Sequence, residues 1–220
     1  MFNIVIYSYL LLPLCFLILK GKIKERFLVI ISAYGIFIFA LLLIYYLLPK
    51  DVKKYYQAFY TFFEYSFFAF VFWYTIQNKK IKRLIIYFSV VFISFQSFFV
   101  TITSLQRLDS IPIGIETILI FIYIFFFFYE FSRNNRNLFI YNHHCFWISV
   151  GILIYLGGSF FFYLMINHLD TEEINRFGNL TYIAEIIKNV LFAIAMFINK
   201  KFSTSENKNS SSKVPNLDMI

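Results

Sequence analysis

Charge is scarce in this chain: Asp, Glu, Lys and Arg make up 15% of its 220 residues, against about 25% in soluble domains. So few charges leave no room for a separate soluble domain. Glycine (seven) and proline (four) are sparse too, and only Pro13 lies well inside an apolar stretch. Secondary transporters commonly break helices near mid-membrane with such residues, so unbroken rods are expected here. The two cysteines, Cys15 in the first apolar stretch and Cys145 at the cytoplasmic edge of the sixth, imply neither a disulfide nor a thiolate metal site. Zinc-protease helix motifs, nucleophile elbows and phosphate-cradling glycine loops are all missing. Enzyme chemistry and cofactor binding have no visible carrier.

What is present in abundance is apolar length. Seven stretches of about 19 to 23 residues match the span needed for a hydrocarbon layer of about 30 Å. They run over residues 2–20, 27–49, 58–76, 84–104, 111–131, 146–166 and 181–199. Each is continuously apolar and about twice the length of a barrel strand, so helices are the spanning form. The expected fold class is an all-α integral membrane protein, a seven-transmembrane-helix bundle over residues 1–200. Residues 201–220, rich in Ser, Asn and Lys, read as a disordered cytoplasmic tail. The first stretch has no basic residue before it and reads as a retained helix rather than a cleaved signal.

The net charge of +8 is a topology signal rather than a nucleic-acid footprint. Fourteen Lys and Arg residues fall in the first, third and fifth connections and the tail, against five in the alternate connections. The positive-inside rule then puts the N-terminus outside and the C-terminus in the cytoplasm. The lipid bilayer is the first expected partner, and no nucleic acid is implied. Small residues gather in the last two spans (Gly151, Gly157, Gly158, Ser159; Ala184, Ala193, Ala195), predicting close approach there.

Intramembrane charge is the place to look for function. Glu64, Glu116 and Glu185 each fall within the early turns of alternate spans, a faint repeat. With 1.5 Å of rise per residue they share one level in the outer leaflet. Gln96, Lys188 and Asn189 reach the same zone, so these six residues form the candidate ligand- or proton-binding layer. Glu185 and Lys188, three residues apart, are expected to pair on their own helix. Glu116, Tyr123 and Glu130 align over 14 residues, about 21 Å of one helix face.

Three other features are weighed lower. His143-His144-Cys145 has the composition of a metal cluster, but neighbouring residues on a helix point apart, which favours an interfacial role. His168, Asp170, Glu172 and Glu173 read as a solvated loop. A lysine in the last of seven spans resembles the plan of retinal proteins. The matching acid motif around Glu64 and the Trp–Pro pocket signature are absent, which argues against a Schiff base.

The stretch Tyr56-Gln57-Ala58-Phe59-Tyr60-Thr61-Phe62-Phe63-Glu64-Tyr65 is similar to a pattern in small uncharacterised bacterial seven-transmembrane-helix proteins. So is Phe146-Trp147-Ile148-Ser149-Val150-Gly151-Ile152-Leu153-Ile154-Tyr155 with the glycines after it. The resemblance covers most of 55–199. It implies an inner-membrane protein of the kind sometimes associated with sensor kinases, and carries over no active site. Two functions follow as expectations. One is a sensory or interaction module with an outward-facing polar pocket and a cytoplasmic partner such as a kinase. The other is a proton- or ion-coupled transporter or channel using Glu64, Glu116 and Glu130 as stepping sites.

Overall fold

The computed structural model describes residues 1–19, 26–102, 110–134, 140–166 and 168–211, and no strand occurs among them. Eight α-helices follow in order: α1 (Phe2–Ser8), α2 (Leu11–Leu19), α3 (Arg26–Leu47), α4 (Lys50–Thr75), α5 (Lys79–Ile102), α6 (Ser110–Asn134), α7 (His144–Met165) and α8 (Thr171–Ser211). One 3-10 turn, Ile140–Asn142, precedes α7. Of the expected tail, 201–211 continue α8 as helix, and 212–220 lie outside the described residues.

Six stretches are long and apolar enough to cross a bilayer: Phe2–Leu19, Val29–Leu47, Lys79–Thr101, Ile111–Arg133, His144–Met165 and Glu172–Ile198. Their outward faces carry large apolar side chains such as Leu17, Phe98, Phe125 and Phe161, as lipid-facing surfaces do. This is the architecture of a multi-pass membrane protein. The expected third span lies within α4, which is 26 residues long, about 39 Å at the helical rise. It opens with Lys50, Asp51, Lys53 and Lys54 and carries Glu64 further in, and it is not among the six.

Helix boundaries follow local chemistry. Pro49 stands at the N-cap of α4 and extended Ile76 stops it. Asn78 then opens α5, its Oδ1 accepting the Lys80 amide at 2.9 Å, which satisfies one of the unpaired amides of the first turn. Asp170 and Glu173, expected as part of a solvated loop, form a reciprocal capping box that starts α8. Asp170 Oδ1 accepts the Glu173 amide at 2.8 Å, and Glu173 Oε2 accepts the Asp170 amide at 3.2 Å.

The first span is not the unbroken rod expected of it. Helix stops at Ser8 and resumes at Leu11. The cause is Pro13, which has no amide to offer the carbonyl of Tyr9 four residues earlier. That carbonyl takes the Leu12 amide instead, at 3.3 Å, in a tighter turn. The break nests against Gly35 of α3, where a Cβ would come within 2.9 Å of both Leu12 Cβ and the Tyr9 carbonyl oxygen. Only glycine fits that approach.

The close approach expected of the last two spans is found: α7 and α8 share the most extensive helix contact among the described residues. A Cβ on Gly158 would sit 3.1 Å from Ala184 Cβ, and one on Gly151 would sit 3.3 Å from the Phe192 ring. On the far side, α4 packs on α5 and α6. The centre between these groups is filled by aromatic rings, for example Tyr34 stacked on Phe67 with centroids 4.0 Å apart.

Candidate functional site

The break at Tyr9 delivers a tyrosine to the middle of the bundle, and Lys188 of α8 meets it there. Lys188 is 0% exposed. An ammonium has three hydrogens, and Nζ has three acceptors: Tyr9 Oη at 3.0 Å, Tyr34 Oη at 3.0 Å and Glu64 Oε1 at 3.4 Å. The Tyr155 ring lies beneath it, its centroid 3.9 Å from Nζ, close enough for a cation–π interaction. Each ammonium hydrogen thus has an acceptor within the protein.

Glu64 is the counter-charge, 4% exposed and ion-paired to Lys188. Its Oε2 accepts the Tyr155 hydroxyl at 2.9 Å. Its Oε1 takes longer contacts of 3.4 Å from Tyr34 and Tyr60. Tyr60 lies one turn before Glu64 on the same stripe of α4, as helical spacing requires. Glu185 joins the network from the other side, accepting the Tyr9 hydroxyl. The hydroxyl of Tyr9 therefore stands between the lysine and a second carboxylate.

This arrangement corrects the expected Glu185–Lys188 pair. Residues three apart on one helix meet at its surface, whereas Lys188 is fully buried and its head turns into the space between helices, where tyrosines complete its bonding. The ion pair runs from α8 to α4 instead.

The other candidates take separate places. Glu116 of α6 is 2% exposed, and among the described residues no hydrogen bond joins it to Glu64 or Lys188. Asn189 Nδ2 donates to Ser8 Oγ at 2.7 Å, tying α8 to the end of α1. Gln96 Nε2 donates to the Ala58 carbonyl at 2.8 Å, a link between α5 and α4. Glu116 Oε1, Gln96 Oε1 and Asn189 Oδ1 are buried with no hydrogen-bond partner among the described residues.

The aligned face of α6 is divided among local assemblies. Tyr123 Oη lies 3.0 Å from Tyr65 Oη, which lies 3.1 Å from Ser89 Oγ. Glu130 reaches the turn between α4 and α5, where Oε1 accepts the backbone amides of Gln77 at 2.8 Å and Asn78 at 3.2 Å. Among the described residues no hydrogen bond joins Glu116 to Tyr123, or Tyr123 to Glu130.

Near Glu130, His143 caps α7, its Nδ1 accepting the Cys145 amide at 3.3 Å. Its ring lies against Phe127 and Phe131, and burial holds its pKa below the ordinary imidazole value.

Sequence reasoning missed Tyr9, Tyr34, Tyr155 and Ser8. Two signals were available. Tyr9 stands four residues before the sole mid-span proline, and Tyr34 stands beside the sole glycine of its span.

Set against known proteins, the chain matches no family model, no curated protein and no solved structure. The site is therefore read from its own geometry.

Proposed function

We propose that this chain is a seven-helix sensory or interaction module of the bacterial inner membrane. In this reading α4 completes the seven as the third span, the N-terminus is outside and the tail is cytoplasmic, as the asymmetry of Lys and Arg supports. The module registers a proton or small polar ligand at the Lys188–Glu64–Glu116 layer. It passes the rearrangement to a cytoplasmic partner such as a sensor kinase.

One observation carries this: the buried lysine is bonded to side chains from the Tyr9 break, α3 and α4, and rests on a ring from α7. A change of charge at any member disturbs helices that otherwise touch only in part. Buried ionisable networks are the elements that such switches bias. The orphaned Glu116 oxygen is where an added proton or a ligand donor gains a bond.

The break at Tyr9 favours a second reading, since transporters interrupt helices beside a buried ion site. Against it, the polar groups along α6 bond to separate neighbours rather than to one another.

The test begins with full-length protein purified from its native membranes. A cytoplasmic protein should copurify, be lost when Lys79, Lys80, Lys82 and Arg83 are changed to Gln, and be held differently by Glu116→Gln. Proton flux into proteoliposomes that collapses in Glu64→Gln and Glu116→Gln would instead establish transport. Loss of thermal stability alone in these variants, with neither partner nor flux affected, would remove both readings.

A further inference from the structure

The sequence at 143–145 places two histidines and a cysteine in succession, a run set aside because consecutive helical residues diverge. The structure removes that objection. His143 is not helical: it is the N-cap of α7, with extended backbone at φ −95° and ψ 129°. An extended residue followed by the first helical turn folds its side chain back over that turn, as the bond from the Cys145 amide to His143 Nδ1 shows. The His143 and His144 rings face each other with centroids 4.6 Å apart. One ligand atom from each of His143, His144 and Cys145 lies within 4.8 Å of the other two.

We propose that His143, His144 and Cys145 bind a thiophilic transition-metal ion, Zn²⁺ being the type case, at this end of the bundle. Three points no more than 4.8 Å apart have a centre at most about 2.8 Å from each. Contraction by about 0.5 Å for the thiolate and up to about 0.8 Å for each imidazole reaches ordinary Zn–S and Zn–N lengths of about 2.3 and 2.0 Å. Two imidazoles and a thiolate select zinc or copper over magnesium or calcium, which require oxygen donors.

The surroundings supply what three ligands leave undone. A pocket of about 180 Å³ adjoins His143 and is also lined by Thr75, Gln77 and Glu130, giving access and room for a water as fourth ligand. Thr75 Oγ1 lies 3.3 Å from Cys145 Sγ; its one hydrogen, given to the Val71 carbonyl at 2.8 Å, would turn to a metal-bound thiolate, as outer groups commonly do. The Phe27 ring packs on His144 with centroids 4.6 Å apart, limiting its rotation. The ends of α3, α4, α6 and α7 meet around this point, so an ion held by α7 alone touches the junction of four helices.

Cobalt is the probe, because thiolate coordination gives Co²⁺ a charge-transfer absorption and tetrahedral geometry gives it intense visible bands. Full-length protein in detergent is titrated with Co²⁺ and then with Zn²⁺. The expected result is one equivalent of cobalt with thiolate absorption, displaced by zinc. Cys145→Ser should abolish the absorption, His144→Gln should weaken binding at least tenfold, and Cys15→Ser should leave both unchanged. Folded wild-type protein without thiolate–cobalt absorption would overturn the proposal, as would absorption that persists in Cys145→Ser. Helical circular dichroism of each variant keeps loss of fold distinct from loss of ligand.

Discussion

Glu64 and Glu130 are carboxylates on neighbouring helices, and the bundle satisfies them by opposite means. Glu130 sits where α4 turns into α5 and accepts two backbone amides from that turn. Its partners are two consecutive residues whose amides any sequence except proline would supply. Glu64 sits in the interior and depends on a lysine 124 positions away and a tyrosine 91 positions away. One carboxylate fastens a local corner. The other keeps its partners only while several helices remain assembled. Buried polar groups that rely on distant side chains are the more sensitive to a single change, since each loss strands a partner away from water.

The contrast can be broken by substitution. The largest effect is expected from Lys188→Met, which leaves Glu64 buried without its cation. Removal of one partner of a buried pair costs about 3–5 kcal/mol, seen as a lower thermal midpoint in detergent, and adding Glu64→Leu should restore much of it. A Lys188→Met protein as stable as wild type would show the interior pair to be dispensable. Gly35→Ala comes next. Its methyl must displace Leu12 and the Tyr9 carbonyl, an overpacking cost of roughly 1–3 kcal/mol. If the break aims Tyr9, this variant should also loosen the Lys188 network, read as greater amide exchange in α8.

Smaller losses are expected at the other carboxylate. Glu130→Gln keeps an acceptor for the Gln77 and Asn78 amides and forfeits only charge assistance, about 1 kcal/mol. A loss rivalling that of Lys188→Met would erase the distinction between corner and core. Asn78→Ala removes the cap of α5 at about 1 kcal/mol, and should fray that turn by amide exchange without disturbing α8.

The two regions also differ in how far the sequence announces them. The capping box at Asp170 and Glu173 and the cap at Asn78 are written in short spacings, because each involves residues within three positions of one another. The level shared by Glu64, Glu185 and Lys188 was legible from helical rise alone. Their partners were not. Lys188 was expected to bond its neighbour Glu185, since local spacing reveals only local partners, and the tyrosines that complete the network come from the break in the first span, α3, α4 and α7. The divergence expected at 143–145 failed for a related reason: it assumed helix one residue too early.

Apolar length, continuity and the scarcity of charge were enough to determine a helical, multi-pass membrane protein. In lipid a backbone has no water to bond and must satisfy itself within each span. Tertiary structure alone decided which side chains share the interior. That depends on how Pro13 bends the first span against Gly35 and how closely α7 approaches α8. These contacts join residues tens of positions apart, and no periodicity in the chain records them.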